Sequence, residues 1–303
     1  MIIGGSTKCG TTSLFNYFSK HPQVCPSNLK ETRYFLFNDY QSEDLSRTNL
    51  GDSNYDDLFM NCGDGQFKLE ATPDYLYSRH TADAISKLNG NVKLVFILRD
   101  PVDRLFSWFK YASMNGLVLE GSNINSFIEK QDQSDDSSVP QHYRSLKQGV
   151  YSNYLTEYYK KFKSDNILIV FFEDLQNDPI HLCTQICEFA GLNKDYFAGY
   201  NFRIHNRSTP VRSLKFHKLF RATRRGIRSL IHRLPKASHK KFKFAGHYMA
   251  TWYQRVNERS DSFEIDKLSE SSITTLRNMY EGEADRIKDL CGENPQWSLG
   301  NSS

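Results

Sequence analysis

Near the start of the chain, Gly4-Gly5-Ser6-Thr7-Lys8-Cys9-Gly10-Thr11-Thr12-Ser13 has the makings of an anion cradle. Small residues let backbone N–H groups converge on a phosphate, and a lysine adds a point charge. In an ATP-binding loop the lysine directly follows the second glycine, and a neighbouring Ser or Thr holds magnesium. Here Lys8 comes two residues before Gly10, and Thr11-Thr12 fills the lysine–hydroxyl positions. Thr7, Lys8, Cys9, Gly10, Thr11, Thr12 and Ser13 are therefore candidates to bind phosphate with different chemistry and no metal. A second group, Leu98-Arg99-Asp100-Pro101-Val102-Asp103-Arg104-Leu105-Phe106-Ser107, ends an apolar run on Arg99 and opens a helix at Pro101. Arg99 can grip a second phosphate through two parallel hydrogen bonds, and Ser107 falls two turns into that helix. Alternatively, Arg99 only pairs with Asp100 or Asp103.

These groups need elements to hold them. Strands are expected at Met1–Gly4, Val24–Pro26, Lys68–Glu70, Val92–Leu98 and Ile167–Phe172. The nearly continuous apolar run Val92–Leu98 suits a central parallel strand covered on both faces. Helical patterns alternate with them at Thr11–Lys20, Tyr77–Leu88, Pro101–Asn115, Tyr151–Phe162 and Pro179–Ala190. This predicts an α/β, P-loop-like three-layer fold, a mostly parallel central sheet flanked by helices. Ligands in such folds bind beyond the C-terminal strand ends, so the first loop, Arg99 and the Glu70 segment should share one rim. Polar residues 120–138 read as a loop or lid. Residues 268–297 read as one helix ending at Gly292, with Trp297 packing back.

The 303 residues carry a net charge of +4, but the charge is segregated. Residues 199–257 hold 15 Lys and Arg and no acidic residue, and the remainder has a net charge of −11. A single domain, 1–303, is expected, with a basic helical insertion at about 214–257. Its segment 212–243 is open to three readings: an acidic-glycan groove, contact with an anionic polymer or membrane surface, or a solvated amphipathic helix. No nucleic-acid module is recognisable. The six cysteines are scattered without metal spacing, which predicts reduced thiols and no zinc site. No apolar run reaches the roughly 18 residues of a membrane span, and Met1 opens directly into a strand. The expected location is cytoplasmic, or the Golgi lumen if the chain is truncated.

The motifs resemble those of sulfotransferases that use 3′-phosphoadenylyl sulfate (PAPS). Gly5–Leu14 is similar to their 5′-phosphosulfate loop, and Leu98–Ser107 to the motif in which Arg and Ser bind the 3′-phosphate. Lys30-Glu31-Thr32-Arg33-Tyr34-Phe35 and Glu70-Ala71-Thr72-Pro73-Asp74-Tyr75 resemble elements of the heparan-sulfate-type branch, with Ala71 replacing a lysine. Gly149-Val150-Tyr151…Tyr154-Leu155, Phe172–Pro179 and Asn206-Arg207-Ser208…Arg212-Ser213 follow in the expected order.

The resemblance implies sulfuryl transfer from PAPS to a hydroxyl or amine of a carbohydrate or glycoconjugate, releasing adenosine 3′,5′-bisphosphate (PAP) without a metal. It implies Lys8 as the cation that neutralises the leaving phosphate and Glu31 as the base. His205 is the rival base, and Glu31 could instead be a structural partner of Lys30 or Arg33. Neighbouring charges could move the Glu31 pKa either way. Lys30, Lys68, Glu70 and Tyr154 are expected on the acceptor side, a plain strand-end ion pair being the other reading of Lys68 and Glu70. Asn206, Arg207, Ser208 and Arg212 are expected to close over the nucleotide. A P-loop nucleotide kinase and a non-catalytic polyanion-binding protein are the competing classes.

Overall fold

Leu94–Leu98 is buried at every position, and it lies inside the sheet as an all-apolar strand should. The computed structural model describes residues 1–36, 54–88, 90–115, 117–118, 121–133, 144–203 and 266–298, with 216, 220, 223 and 256 singly. Five parallel strands, β1 (Ile2–Gly5), β2 (Val24–Pro26), β3 (Phe67–Ala71), β4 (Leu94–Leu98) and β5 (Ile167–Phe171), run in the order β2-β3-β1-β4-β5. The register pairs Ile2 with Leu94 and Gly5 with Ile97, so β1 and β4 end side by side.

Side chains of a strand alternate between faces. Ile3, Val95, Ile97 and Val170 join Leu14 and Phe18 of α1 (Thr11–Phe18) and Cys183, Ile186 and Cys187 of α7 (Pro179–Ala190) in one apolar layer. Ile2, Phe96, Leu98 and Ile169 join Ile85 of α2 (Thr81–Ser86) and Tyr151, Leu155 and Tyr158 of α5 (Tyr151–Tyr159) in the other. The three-layer α/β expectation is met.

The chain divides into two compact units. The first comprises residues 1–105, 128–206 and 268–303, and it contains the sheet. The second comprises 106–127 and 207–267. It holds most of α3 (Pro101–Asn115), and there Trp108 stacks on Phe127 at 5.6 Å and Ala112 and Ile124 are buried. The basic stretch 212–243 lies outside the described residues except for Phe216, Phe220 and Thr223.

Four expectations are corrected. Cys25 and Cys62 form a disulfide, their Cα atoms 5.4 Å apart, because Cys62 precedes β3, whose partner β2 carries Cys25. Cys9, Cys183, Cys187 and Cys291 are free thiols. Within the polar stretch 120–138, α4 (Ile124–Gln133) is helical, and Ile124, Phe127 and Ile128 make its buried stripe. The expected helix Tyr77–Leu88 is a 3-10 turn, Pro73–Tyr77, followed by the shorter α2. The C-terminal segment is two helices, α8 (Glu270–Tyr280) and α9 (Glu283–Cys291), separated by Gly282 at φ +68°. Trp297 does pack back, its ring 5.7 Å from Tyr151 and 5.9 Å from Phe171.

Candidate active site

The loop after β1 exists because glycine occupies its two tightest points. At Gly5 φ is +131°, and a Cβ would stand 2.5 Å from the Ile97 carbonyl oxygen. Gly10, at φ +93°, caps α1, and a Cβ there would press on Leu175 and Phe172 of α6 (Phe172–Asn177). Between them Lys8 also takes a left-handed conformation, at φ +73°. Non-glycine residues pay about 1 kcal/mol or more for this, and such strain gathers where a loop is shaped for a ligand. The first turn of α1 carries no acidic residue, which leaves its positive end suited to an anion. Thr7 keeps a buried hydroxyl with no hydrogen-bond partner among the described residues. Burial drives the Cys9 thiol pKa up to about 11, so it is neutral, and its Sγ turns to the Thr7 carbonyl at 3.9 Å. Thr11 and Ser13 are buried in the first turn, beside the half-buried Thr12.

Arg99 follows β4, the strand next to β1. Its guanidinium lies 4.7 Å above the Phe172 ring and 3.5 Å from Asp103, and its Nε is buried without a hydrogen-bond partner among the described residues. The Tyr151 hydroxyl donates to its carbonyl at 2.8 Å. Asp100 is engaged elsewhere: its carboxylate caps α3 by accepting from the Val102 and Asp103 amides, and its own amide donates to Glu173. The Glu173 carboxyl is raised by burial, its second oxygen unpartnered among the described residues. Ser107 is half-buried farther along α3, in the second unit.

The segment after β2 is sewn to the end of β3. The Glu31 amide donates to the Ala71 carbonyl at 3.0 Å, and the Arg33 amide to Thr72 Oγ1 at 3.3 Å. The Glu31 carboxylate holds Lys30 at 2.7 Å on one oxygen and Arg33 at 3.1 Å on the other. Burial pushes its pKa up, but the charges and hydrogen bonds of Lys30 and Arg33 outweigh that and hold it below the usual carboxylate value. Glu70 is opposite in character. It is wholly buried, receives hydrogen bonds from Thr32, Tyr55 (2.8 Å) and Tyr75 (3.2 Å), and burial raises its pKa.

Lys68, two residues earlier on β3, reaches outward to Asp56 at 2.6 Å. Tyr154 packs edge-on against Tyr77 at 5.1 Å, and the Tyr77 hydroxyl meets Ser6 Oγ at 2.7 Å. Thus Lys30 and Glu31 form one cluster, Glu70 backs it through Thr32, and Lys68 is turned to the surface. Asn206, Arg207, Ser208, Arg212 and His205 lie outside the described residues. The Arg33 contact with Glu31 is one of the readings the sequence offers, whereas the hydroxyl cage of Glu70, drawn from residues 32, 55 and 75, has no local sequence signal.

Comparison with known proteins matches residues 1–243 to the family model described as "Sulfotransferase domain". Human heparan sulfate glucosamine 3-O-sulfotransferase 3B1 is 26% identical over 193 residues, 64% of this chain and 46% of that protein. Mouse bifunctional heparan sulfate N-deacetylase/N-sulfotransferase 4 is 23% identical over 203 residues, 64% of this chain and 22% of that protein. The chain thus spans less than half the length of these relatives. A sulfotransferase structure from Alicyclobacillus acidocaldarius shares the fold with a TM-score of 0.65 at 18% identity, covering 97% of this chain and 96% of that one. With the family model covering most of its length, and with the loop, arginine and carboxylate motifs in order along a matching sheet, the chain belongs to the sulfotransferase domain family.

Proposed function

We propose that the protein transfers the sulfuryl group of PAPS to a hydroxyl or amine of a carbohydrate or glycoconjugate, releasing PAP. One observation carries the reading: the loop with Lys8, the Arg99 corner and the Glu31 segment all follow the C-terminal ends of the adjacent strands β1, β4 and β3 or their bonded neighbour β2. Two anion positions at the ends of neighbouring strands suit a nucleotide phosphorylated at both ends. The Thr7 hydroxyl and Arg99 Nε, buried with no hydrogen-bond partner among the described residues, support the reading as donors for an anion.

In this mechanism Thr7–Ser13 hold the phosphosulfate, and Arg99 with Ser107 holds the 3′-phosphate. Asn206, Arg207, Ser208 and Arg212 close the nucleotide site. Glu31 removes the acceptor proton, and Lys8 neutralises charge building on the leaving phosphate. A preorganised donor of that kind is worth about 3–4 kcal/mol. Lys30, Glu70 and Tyr154 frame the acceptor side; Lys68 would contribute from the rim by leaving Asp56. The names of the heparan sulfate relatives support a glycan acceptor. The basic segment 212–243 would attract an anionic polymer or membrane surface. No helix among the described residues is long and apolar enough to cross a membrane. The Cys25–Cys62 disulfide favours an oxidising compartment over the cytoplasm.

Thermal-shift titration with PAP against ATP–Mg²⁺ tests the reading first: PAP should stabilise and ATP–Mg²⁺ should not. Equal or absent responses would sink it. Transfer of radiolabelled sulfate to heparan-type oligosaccharides then tests the acceptor class.

A further inference from the structure

Arg104 is a cation inside the protein with no ion-pair partner among the described residues. Its side chain is wholly buried. One guanidinium nitrogen, Nη2, donates to the Ser145 carbonyl, while Nε and Nη1 are buried without a hydrogen-bond partner among the described residues. Arginine does not shed its proton, so the charge stays. A buried charge is ordinarily paired, because water no longer solvates it.

Its surroundings point toward the donor site. Among the described residues, Tyr77, Tyr151, Tyr280 and Cys9 are close enough to act on it electrostatically. Cys9 belongs to the phosphate-cradling loop. Tyr77 touches that loop through Ser6 Oγ at 2.7 Å. Tyr151 donates to the carbonyl of Arg99, the other anion-binding candidate, at 2.8 Å. The Tyr280 hydroxyl donates to the Leu146 carbonyl at 2.8 Å and accepts a hydrogen bond from Arg104. These are neutral hydroxyls and a neutral thiol, so they orient dipoles around the charge without cancelling it.

We propose that Arg104 is a positioning residue, a buried counter-charge behind the loop that draws a multiply anionic nucleotide onto Ser6–Thr12 and Arg99 without touching it. The inference rests on the donor reading above. In a low-dielectric interior a charge acts over several ångströms, so contact is not needed. The missing counter-ion of the resting protein is supplied by the ligand.

Two uncharged variants, Arg104→Met and Arg104→Gln, are compared with the charge-keeping Arg104→Lys. The measurements are PAP affinity by calorimetry and the Tm of the ligand-free protein. Inorganic pyrophosphate serves as a second probe that any phosphate-cradling loop accepts. Loss of the charge should weaken PAP binding tenfold or more while the ligand-free Tm stays level or rises. Arg104→Lys should recover most of the affinity. Unchanged affinity overturns the proposal, and so does a parallel loss of affinity and Tm, which would make Arg104 a packing element. If wild-type protein binds pyrophosphate but shows no preference for PAP, the donor reading falls, and the effect of Arg104 is then read on pyrophosphate alone.

Discussion

The Thr32 hydroxyl donates to the Glu70 carboxylate across 38 residues of sequence, and this bond fixes the turn that presents Glu31. Thr32 sits between two residues in left-handed conformation, Glu31 at φ +61° and Arg33 at φ +55°. Neither is glycine, so the turn needs an anchor to hold it. Tyr75 adds a second contact to the Thr32 hydroxyl at 3.0 Å.

Thr32→Val keeps the shape and removes that hydroxyl. Leaving the buried carboxylate one donor short costs about 1–3 kcal/mol of stability. On the proposed role of Glu31 as base, turnover should fall further than stability alone explains, with PAP affinity intact, because Glu31 loses its aim. Thr32→Ser should restore both. Wild-type kcat in the valine variant would dismiss the anchoring role.

Glu31 and Glu70 have pKa values pushed apart, the first down and the second up. As the proposed base, Glu31 must be deprotonated, so the acid limb of kcat should lie below the ordinary glutamate value of about 4.3. Arg33→Gln removes one of the charges that lower the Glu31 pKa, and the limb should move upward. The signs for stability are opposite. The Glu31 contribution is present above its unfolded pKa and is lost as pH falls through its folded one. Glu70 favours the folded state most below its unfolded pKa, and that contribution is lost as pH rises through its folded value. Glu31→Gln should cut turnover by about two to four orders of magnitude and leave PAP binding in place. Initial rates across pH, with PAP titrations as control, decide both points.

Gly5→Ala should cripple folding. The added carbon would meet the Ile97 carbonyl oxygen at 2.5 Å, in a backbone conformation that side chains disfavour. Backbone cannot yield as a side chain tip can, so a loss of about 3 kcal/mol or more is expected, visible as a large drop in Tm. Gly65→Ala, with open space around it, is the matched control for the clash, since its φ of +76° carries conformational strain of its own.

Cys62→Ser opens the covalent loop of 37 residues that Cys25 closes. The loss should be about 3–4 kcal/mol by loop-closure reasoning. Thermal unfolding with and without a reducing agent should show the wild type falling toward the variant and the variant unmoved. Identical curves for the two proteins would deny the cross-link a stabilising role.

The elements that patterned themselves locally were legible. The apolar run at Val92–Leu98 led to β4, proline and the cap marked α3 at Pro101–Asn115, and Pro179–Ala190 was found with both bounds. The loop and the Arg99 corner were readable because glycine, proline and charge occur at fixed short spacings. What depended on distant parts of the chain was not readable. The Cys25–Cys62 pair has no spacing signature, and only the β2–β3 pairing brings it together. The hydroxyl cage of Glu70 draws on residues 32, 55 and 75. Helix α4 escaped notice because only a narrow apolar stripe interrupts its polar residues. Whether Glu31 is raised or lowered turned on Arg33 joining Lys30, a matter of backbone conformation at two left-handed residues.

The strand order has a consequence for how such a protein diverges. β1 is the middle strand, with β3 and β2 on one side and β4 and β5 on the other. On the proposed reading, the half-sheet β2–β3 carries what handles the acceptor and the half-sheet β4–β5 what grips the nucleotide. Only the loop after β1 serves both. Sequence change can therefore retune one half without consulting the other: descendants can trade one acceptor for another through residues 27–76 while inheriting the nucleotide unchanged.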